Sequence, residues 1–94
     1  MGRGDERGTG LAAVEVRLFA TLRRETGVRS LRLDSADLNE VIRRLVSLYG
    51  TGLIKQLEGA TFLVNGRNIA QLGGLRTALR DGDVISIFPP LAGG

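Results

Sequence analysis

Apolar residues along this chain switch between two periods, and the switches mark its elements. From Leu11 to Ala20, "LAAVEVRLFA", Val14, Val16 and Leu18 alternate with polar neighbours, the period of a half-buried strand. Thr21 to Gly27 is charged and ends on glycine, which predicts a turn. The run "VRSLRL" alternates again, with Val28, Leu31 and Leu33 as inward candidates, so the first two strands form a hairpin. Between Asp34 and Gly50 the period becomes helical. Leu38, Val41, Ile42, Leu45, Val46 and Tyr49 share one face, opposite Asn39, Glu40, Arg43, Arg44 and Ser47. Asp37, three residues before Glu40, predicts a capping box, and Gly50 a left-handed helix stop.

The second half reads as strands again. Asn65-Gly66 sits between two short strand-like runs in "ATFLVNGRNI", and that dipeptide predicts a hairpin whose two turn residues both take positive φ. A loop follows, broken by Gly73-Gly74, with one helical turn expected at Thr77 to Leu79. Asp81-Gly82-Asp83 then turns the chain into "VISIF", where Ile85 and Ile87 share a face opposite Val84, Ser86 and Phe88. Pro89-Pro90 ends this strand because proline cannot donate to a ladder.

One amphipathic helix cannot bury its stripe alone, so a sheet must face it. The predicted class is α+β: a mixed sheet of four to five strands with one main helix packed on one face. Because hairpins flank the helix, the first and last strands can lie side by side and parallel in the centre. At this size the ubiquitin-like β-grasp is the common form of that order. The expected division is a flexible leader over residues 1–10, the β-grasp domain over 11–88, and a projecting tail over 89–94.

Composition narrows the chemistry. At 94 residues this is one domain, above the size that usually needs disulfides or metals. There is no cysteine and no histidine, which excludes a disulfide framework, a thiolate nucleophile, and the usual general base and zinc ligand. No metal is expected. The net charge of +3 is spread over single arginines and the pairs Arg23-Arg24 and Arg43-Arg44, interrupted by acids, and four aromatics offer little for base stacking. Nucleic acid is therefore not an expected partner. The leader "MGRGDERGTG" has no apolar stretch and no segment is long enough to span a bilayer, so a cytoplasmic location without a membrane partner is expected. The triplet Arg3-Gly4-Asp5 is read as incidental to a glycine-rich, charged leader.

Three stretches carry a family likeness: "VRLFATLRRETG", "VNGRNI" and "LRDGDVISIFPPLAGG". Together with the helix they resemble the MoaD and ThiS group of ubiquitin-like sulfur carriers, and more closely its MoaD branch, the small subunits of molybdopterin synthase. The resemblance implies that the reacting group is the carboxylate of Gly94, next to Gly93. A ubiquitin-activating-enzyme-like adenylyltransferase of the MoeB/ThiF type would use ATP to adenylate it. A sulfurtransferase would supply the sulfur of a thiocarboxylate, and a MoaE-type large subunit would hold the acceptor in molybdopterin synthesis. The chain itself would bind no cofactor. It would then be the sulfur-donor subunit of a synthase, without catalytic side chains of its own.

The resemblance also places Phe19 and Phe88 at aromatic positions where the family meets its partners, with Pro89, Pro90 and Leu91 completing the contact. Alternation puts both phenylalanines on the face opposite Val14, Val16, Leu18, Ile85 and Ile87, so exposure of both is expected. The tail has a physical logic. Glycine lets an enzyme backbone close around the reacting carbonyl, and the prolines hold the base of the tail extended before it binds. Two alternatives share this tail: a sulfur carrier for thiamine or tungsten cofactor synthesis, and a ubiquitin-like modifier joined through Gly94 to lysines of other proteins.

Overall fold

The computed structural model describes residues 10–90. Most of the expected leader, residues 1–9, and the tail residues Leu91, Ala92, Gly93 and Gly94 lie outside the described residues. Strand β1 (Ala12–Leu18) buries Ala12, Val14, Val16 and Leu18 and turns Ala13 and Arg17 outward, as the alternation predicts. It pairs antiparallel with β2 (Ser30–Ser35), Val14 opposite Leu33 and Val16 opposite Leu31.

The link between these strands is not a simple turn. Thr21–Thr26 forms a short helix, α1, with Leu22 fully buried beneath it. Gly27 closes it in the left-handed conformation (φ 81°, ψ 5°), its N–H donating to the Arg23 carbonyl at 2.8 Å. One apolar anchor and a glycine stop suffice for a single turn of helix, which charge patterning alone does not disclose.

Helix α2 (Leu38–Tyr49) packs Leu38, Val41 and Leu45 onto the sheet. Its N-terminus departs slightly from the capping-box expectation. The Asp37 carboxylate accepts from the Glu40 N–H at 2.9 Å, but the Glu40 carboxylate accepts from the Ala36 N–H at 3.0 Å, one residue before the cap. Gly50 stops the helix at φ 104° and ψ 160°, a glycine-favoured region but not the left-handed helical one expected. The chain consequently turns sharply into a 3₁₀ turn, Thr51–Leu53, and helix α3, Ile54–Glu58, neither of which the sequence predicted. Leu53 and Leu57 anchor this segment in the core.

Strand β3 (Thr61–Val64) and the two-residue β4 (Arg67–Asn68) form the second hairpin. Asn65 and Gly66 take φ 52° and 84°, as predicted. The expected helical turn at Thr77 to Leu79 is displaced. Ile69–Gln71 and Gly74–Arg76 make 3₁₀ turns instead, and Ala78 bridges to Asp37. The Thr77 hydroxyl accepts from the Gly73 N–H at 2.9 Å and donates to the Gly74 carbonyl at 2.7 Å, which ends the turn at Thr77 rather than starting one there.

Strand β5 (Val84–Phe88) completes a five-stranded sheet of order β2-β1-β5-β3-β4. It runs parallel to β1 and antiparallel to β3, so the last strand is central. This is the predicted α+β arrangement, a mixed sheet covered on one face by a main helix.

The two turns flanking β5 interlock. Asp83 accepts from the Asn65 side-chain amide at 2.8 Å and from the Arg80 N–H at 2.8 Å, while the Asn65 side-chain oxygen accepts from the Val84 N–H at 2.9 Å. Asp81 accepts from the Ala13 N–H at 2.8 Å. Replacing Asn65 by alanine removes two of these bonds and leaves a residue with a Cβ at positive φ. The Asn65→Ala variant is expected to lose about 1–3 kcal/mol in urea unfolding, with the m-value unchanged.

Candidate functional site

The register of β5 on β1 sets what stands at the base of the tail. Leu18 lies opposite Ile87, which brings the next residues, Phe19 and Phe88, side by side on the sheet face away from α2. Their rings stack with centroids 4.3 Å apart and an interplanar angle of 14°. Phe88 is exposed at 36%, whereas Phe19 is half-buried, so the expected exposure holds in full only for Phe88. The difference comes from α1. Arg23 folds back over the Phe19 ring at 5.4 Å, its Nε donating to the Leu18 carbonyl at 3.2 Å. Phe88, Phe19 and Arg23 thus form a continuous stack, aromatic to aromatic to cation.

Sequence reasoning missed Arg23. The signal available for it is its position four residues after Phe19, within a segment whose charges predict a turn and which forms α1 instead. It also missed the backbone beside it. Ala20, just after Phe19, takes φ 53° and ψ −126°, a conformation that costs a residue with a Cβ free energy and is held here by the Leu22 N–H to Phe19 carbonyl and Arg24 N–H to Ala20 carbonyl bonds, each 3.1 Å.

Beyond Phe88 the chain leaves the sheet. Pro89 is half-buried and Pro90 exposed, the Pro90 ring resting on Gly59 at the end of α3. A Cβ at Gly59 would stand 3.2 Å from Pro90 Cγ, so glycine there lets the exit strand lie close to the body. The described part of the site is therefore an apolar, partly cationic step from which the tail departs. The same face carries Arg17, paired with Glu15 at 2.9 Å, and the polar residues Thr61 and Ser86. Leu91, Gly93 and Gly94, the other expected site residues, lie outside the described residues. Among the described residues no cluster of three or more carboxylates could hold a metal ion, and no helix is long and apolar enough to cross a membrane.

Comparison with known proteins gives this geometry its family. The model of the ThiS family matches residues 16–94, from within β1 through the whole of the tail. The chain belongs to the ThiS family. It is 41% identical over 91 residues to small archaeal modifier protein 3 of Haloferax volcanii, covering 86% of this chain and 98% of that protein. Among solved structures, small archaeal modifier protein 1 from Methanosarcina acetivorans superimposes with a TM-score of 0.80 at 34% identity, covering 89% of this chain and 98% of that one. A chain of the complex of subunits 1 and 2 of molybdopterin-converting factor from Helicobacter pylori matches at a TM-score of 0.61 and 32% identity, over 87% of this chain and 99% of that one. The ThiS-family fold here is the ubiquitin-like β-grasp, and the chain is a ubiquitin-like protein of the sulfur carrier and modifier type.

Proposed function

We propose that this ThiS-family chain carries sulfur as a thiocarboxylate on Gly94 and donates it in molybdopterin synthesis. The observation that carries the proposal is the exit of the central strand at Phe88, where a stacked aromatic pair and two prolines stand at the root of a tail ending in glycine. Such a root supplies binding area for a protein partner beside the group that reacts.

A carboxylate is a poor acyl donor, so the chemistry begins by activation. The Gly94 carboxylate attacks the α-phosphorus of ATP in a partner adenylyltransferase of the MoeB/ThiF type, forming an acyl adenylate and releasing pyrophosphate. A persulfide sulfur from a sulfurtransferase then attacks the carbonyl, AMP leaves, and a thiol cleaves the resulting acyl disulfide to free the thiocarboxylate. None of these steps needs a cysteine or histidine on this chain, which has neither. This chain contributes the acyl group, its presentation on a proline-stiffened stem, and the surface that holds the partner. A large subunit of the MoaE type is the acceptor's holder in this reading, which is supported by the likeness to a chain of the Helicobacter pylori complex. ATP is consumed by the partner, with no cofactor resident here, and the setting is cytoplasmic.

The test is intact mass after co-expression with the activating and sulfur-transfer enzymes. The expected result is the gain of one oxygen-to-sulfur exchange, located to Gly94 by fragmentation. An unchanged mass beside an adenylyltransferase shown to be active on this chain would end the proposal. The partner surface has its own test. Phe88→Ala is expected to weaken adenylyltransferase binding roughly 10- to 30-fold by calorimetry, as truncation of a central aromatic contact does. Equal affinity would place the partner surface elsewhere.

A second reading is favoured by the 41% identity to a small archaeal modifier protein. In it the same acyl adenylate is attacked by a lysine amine of another protein, leaving an isopeptide to Gly94. Tail remnants on lysines of cellular proteins, found by digestion and mass spectrometry, would support it.

A further inference from the structure

On the helix side of the sheet, away from the aromatic stack, α2, α3 and β3 leave an open groove of about 760 Å³. Its lining is mostly apolar, with Val46, Leu57, Phe62 and Ile69 inside and Arg43, Ser47 and Glu58 as the polar members. Ile54 and Leu75 belong to its lining at 40% and 39% exposed, so with their neighbours they form one contiguous apolar patch, the kind of surface that marks an interaction site. Nothing in the described residues does.

The strand that carries the tail ends against this groove. The Pro90 ring touches Gly59, and the residues on either side of Gly59, Glu58 and Ala60, line the groove wall. Four residues follow Pro90 in the sequence, Leu91, Ala92, Gly93 and Gly94. Fully extended, four residues reach about 13–14 Å, enough to enter a cavity of this volume from its rim. Their composition fits as well: one large aliphatic side chain, then three residues small enough to lie along an apolar wall.

Charge sets the direction. Arg43 lines the groove and has no ion pair among the described residues, unlike Arg17, which pairs with Glu15, and Arg44, which pairs with Glu40. Glu58, on the wall nearest the exit, repels a carboxylate lodged there and favours one placed across the groove at Arg43.

We propose that the groove is an intramolecular docking site for the chain's own C-terminal segment, with Leu91 covered by Ile54 and Leu75 and the Gly94 carboxylate facing Arg43. The inference rests on the reading above in one respect, that the reactive carboxylate is that of Gly94. Burial of one leucine and one exposed ion pair is set against the ordering of four residues, so docked and free tails interchange. A tail docked about half the time lowers the apparent affinity for an activating enzyme roughly twofold, because only the free fraction can be threaded. Docking thus shields the carboxylate without preventing its use.

The test uses the unactivated full chain, labelled at isoleucine, leucine and valine methyls, so it is independent of whether sulfur is ever transferred. Its methyl spectrum is compared with that of a chain ended after Pro90 and with Arg43→Gln. Ending the chain is expected to shift the Ile54, Ile69 and Leu75 methyls and leave those of Val14 and Val16 in place. Arg43→Gln should reproduce part of the shift in the same direction. The wild-type shifts should not change over a tenfold dilution. Unshifted groove methyls in the shortened chain would overturn the proposal, and shifts that vanish on dilution would overturn it in favour of the groove of a second copy.

Discussion

Adding a single alanine after Gly94 is expected to abolish the thiocarboxylate formation proposed for this chain, and sulfur transfer with it, while thermal unfolding stays unchanged. The added residue moves the carboxylate one residue beyond the position set by Phe88, Pro89 and Pro90, about 3.3–3.6 Å further along an extended tail. Misplacing a reacting atom by about 1 Å already costs on the order of 100-fold in rate, so a whole residue removes the reaction. The new terminus would also carry a Cβ where the proposed activating enzyme has to close on glycine. Intact mass with active partner enzymes measures the loss. Sulfur found on the extended chain would mean that reach along the tail is not what selects the reacting carbonyl. Stability is the internal control, because no described contact depends on residues after Pro90.

The largest stability effect is expected at Ile87. Its side chain is fully buried in the strand between β1 and β3, opposite Leu18 and Phe62. Replacing isoleucine by alanine in such a position costs about 2–5 kcal/mol, the upper part of the range applying where neighbours cannot collapse into the space. Two hydrogen-bonded strand neighbours hold the backbone of β5 in place, so the cavity stays open. In a domain of this size each kcal/mol corresponds to about 4–8 °C in Tm. Ile87→Ala is therefore expected to unfold at least about 10 °C lower, read by circular dichroism. A change within a degree or two would mean that β5 is not packed as described.

Three of the predicted features that agree with the structure rest on short-range rules. The α2 stripe repeats at helical spacing, Asn65-Gly66 is the hairpin pair that accepts positive φ at both positions, and Pro89-Pro90 cannot extend a ladder. Each is decided by residues within a few positions of one another. The disagreements are also local, but of another kind. The charges of the α1 segment predict a turn because they hide the single anchor Leu22, and 51–58 carries too short an apolar pattern to announce its helical turns. Brief helices of this sort are stabilised by what they pack on, and sequence periodicity needs more turns than they have.

The candidate site divides the same way. Phe19 and Phe88 could be assigned to the outer face from alternation alone, and Gly93 and Gly94 to the tail from motif resemblance. Their stacking could not, since 69 positions separate the rings and only the parallel register of β5 on β1 brings them together. Arg23 joins them because α1 returns it over the Phe19 ring, and the groove gathers residues of α2, α3 and β3 that lie far apart in the sequence.

By itself, then, the sequence determined the strand and helix periods, the hairpin turn, the end of the last strand, and the absence of side chains able to act as thiol or imidazole nucleophiles. These depend on residue identity and on neighbours close along the chain. The tertiary structure alone decided which aromatic is exposed, what cation covers the other, and where the tail leaves the body. Those follow from pairing and packing between segments far apart, whose register is chosen by the shared burial of Val16, Leu18, Ile85 and Ile87 rather than by any local signal.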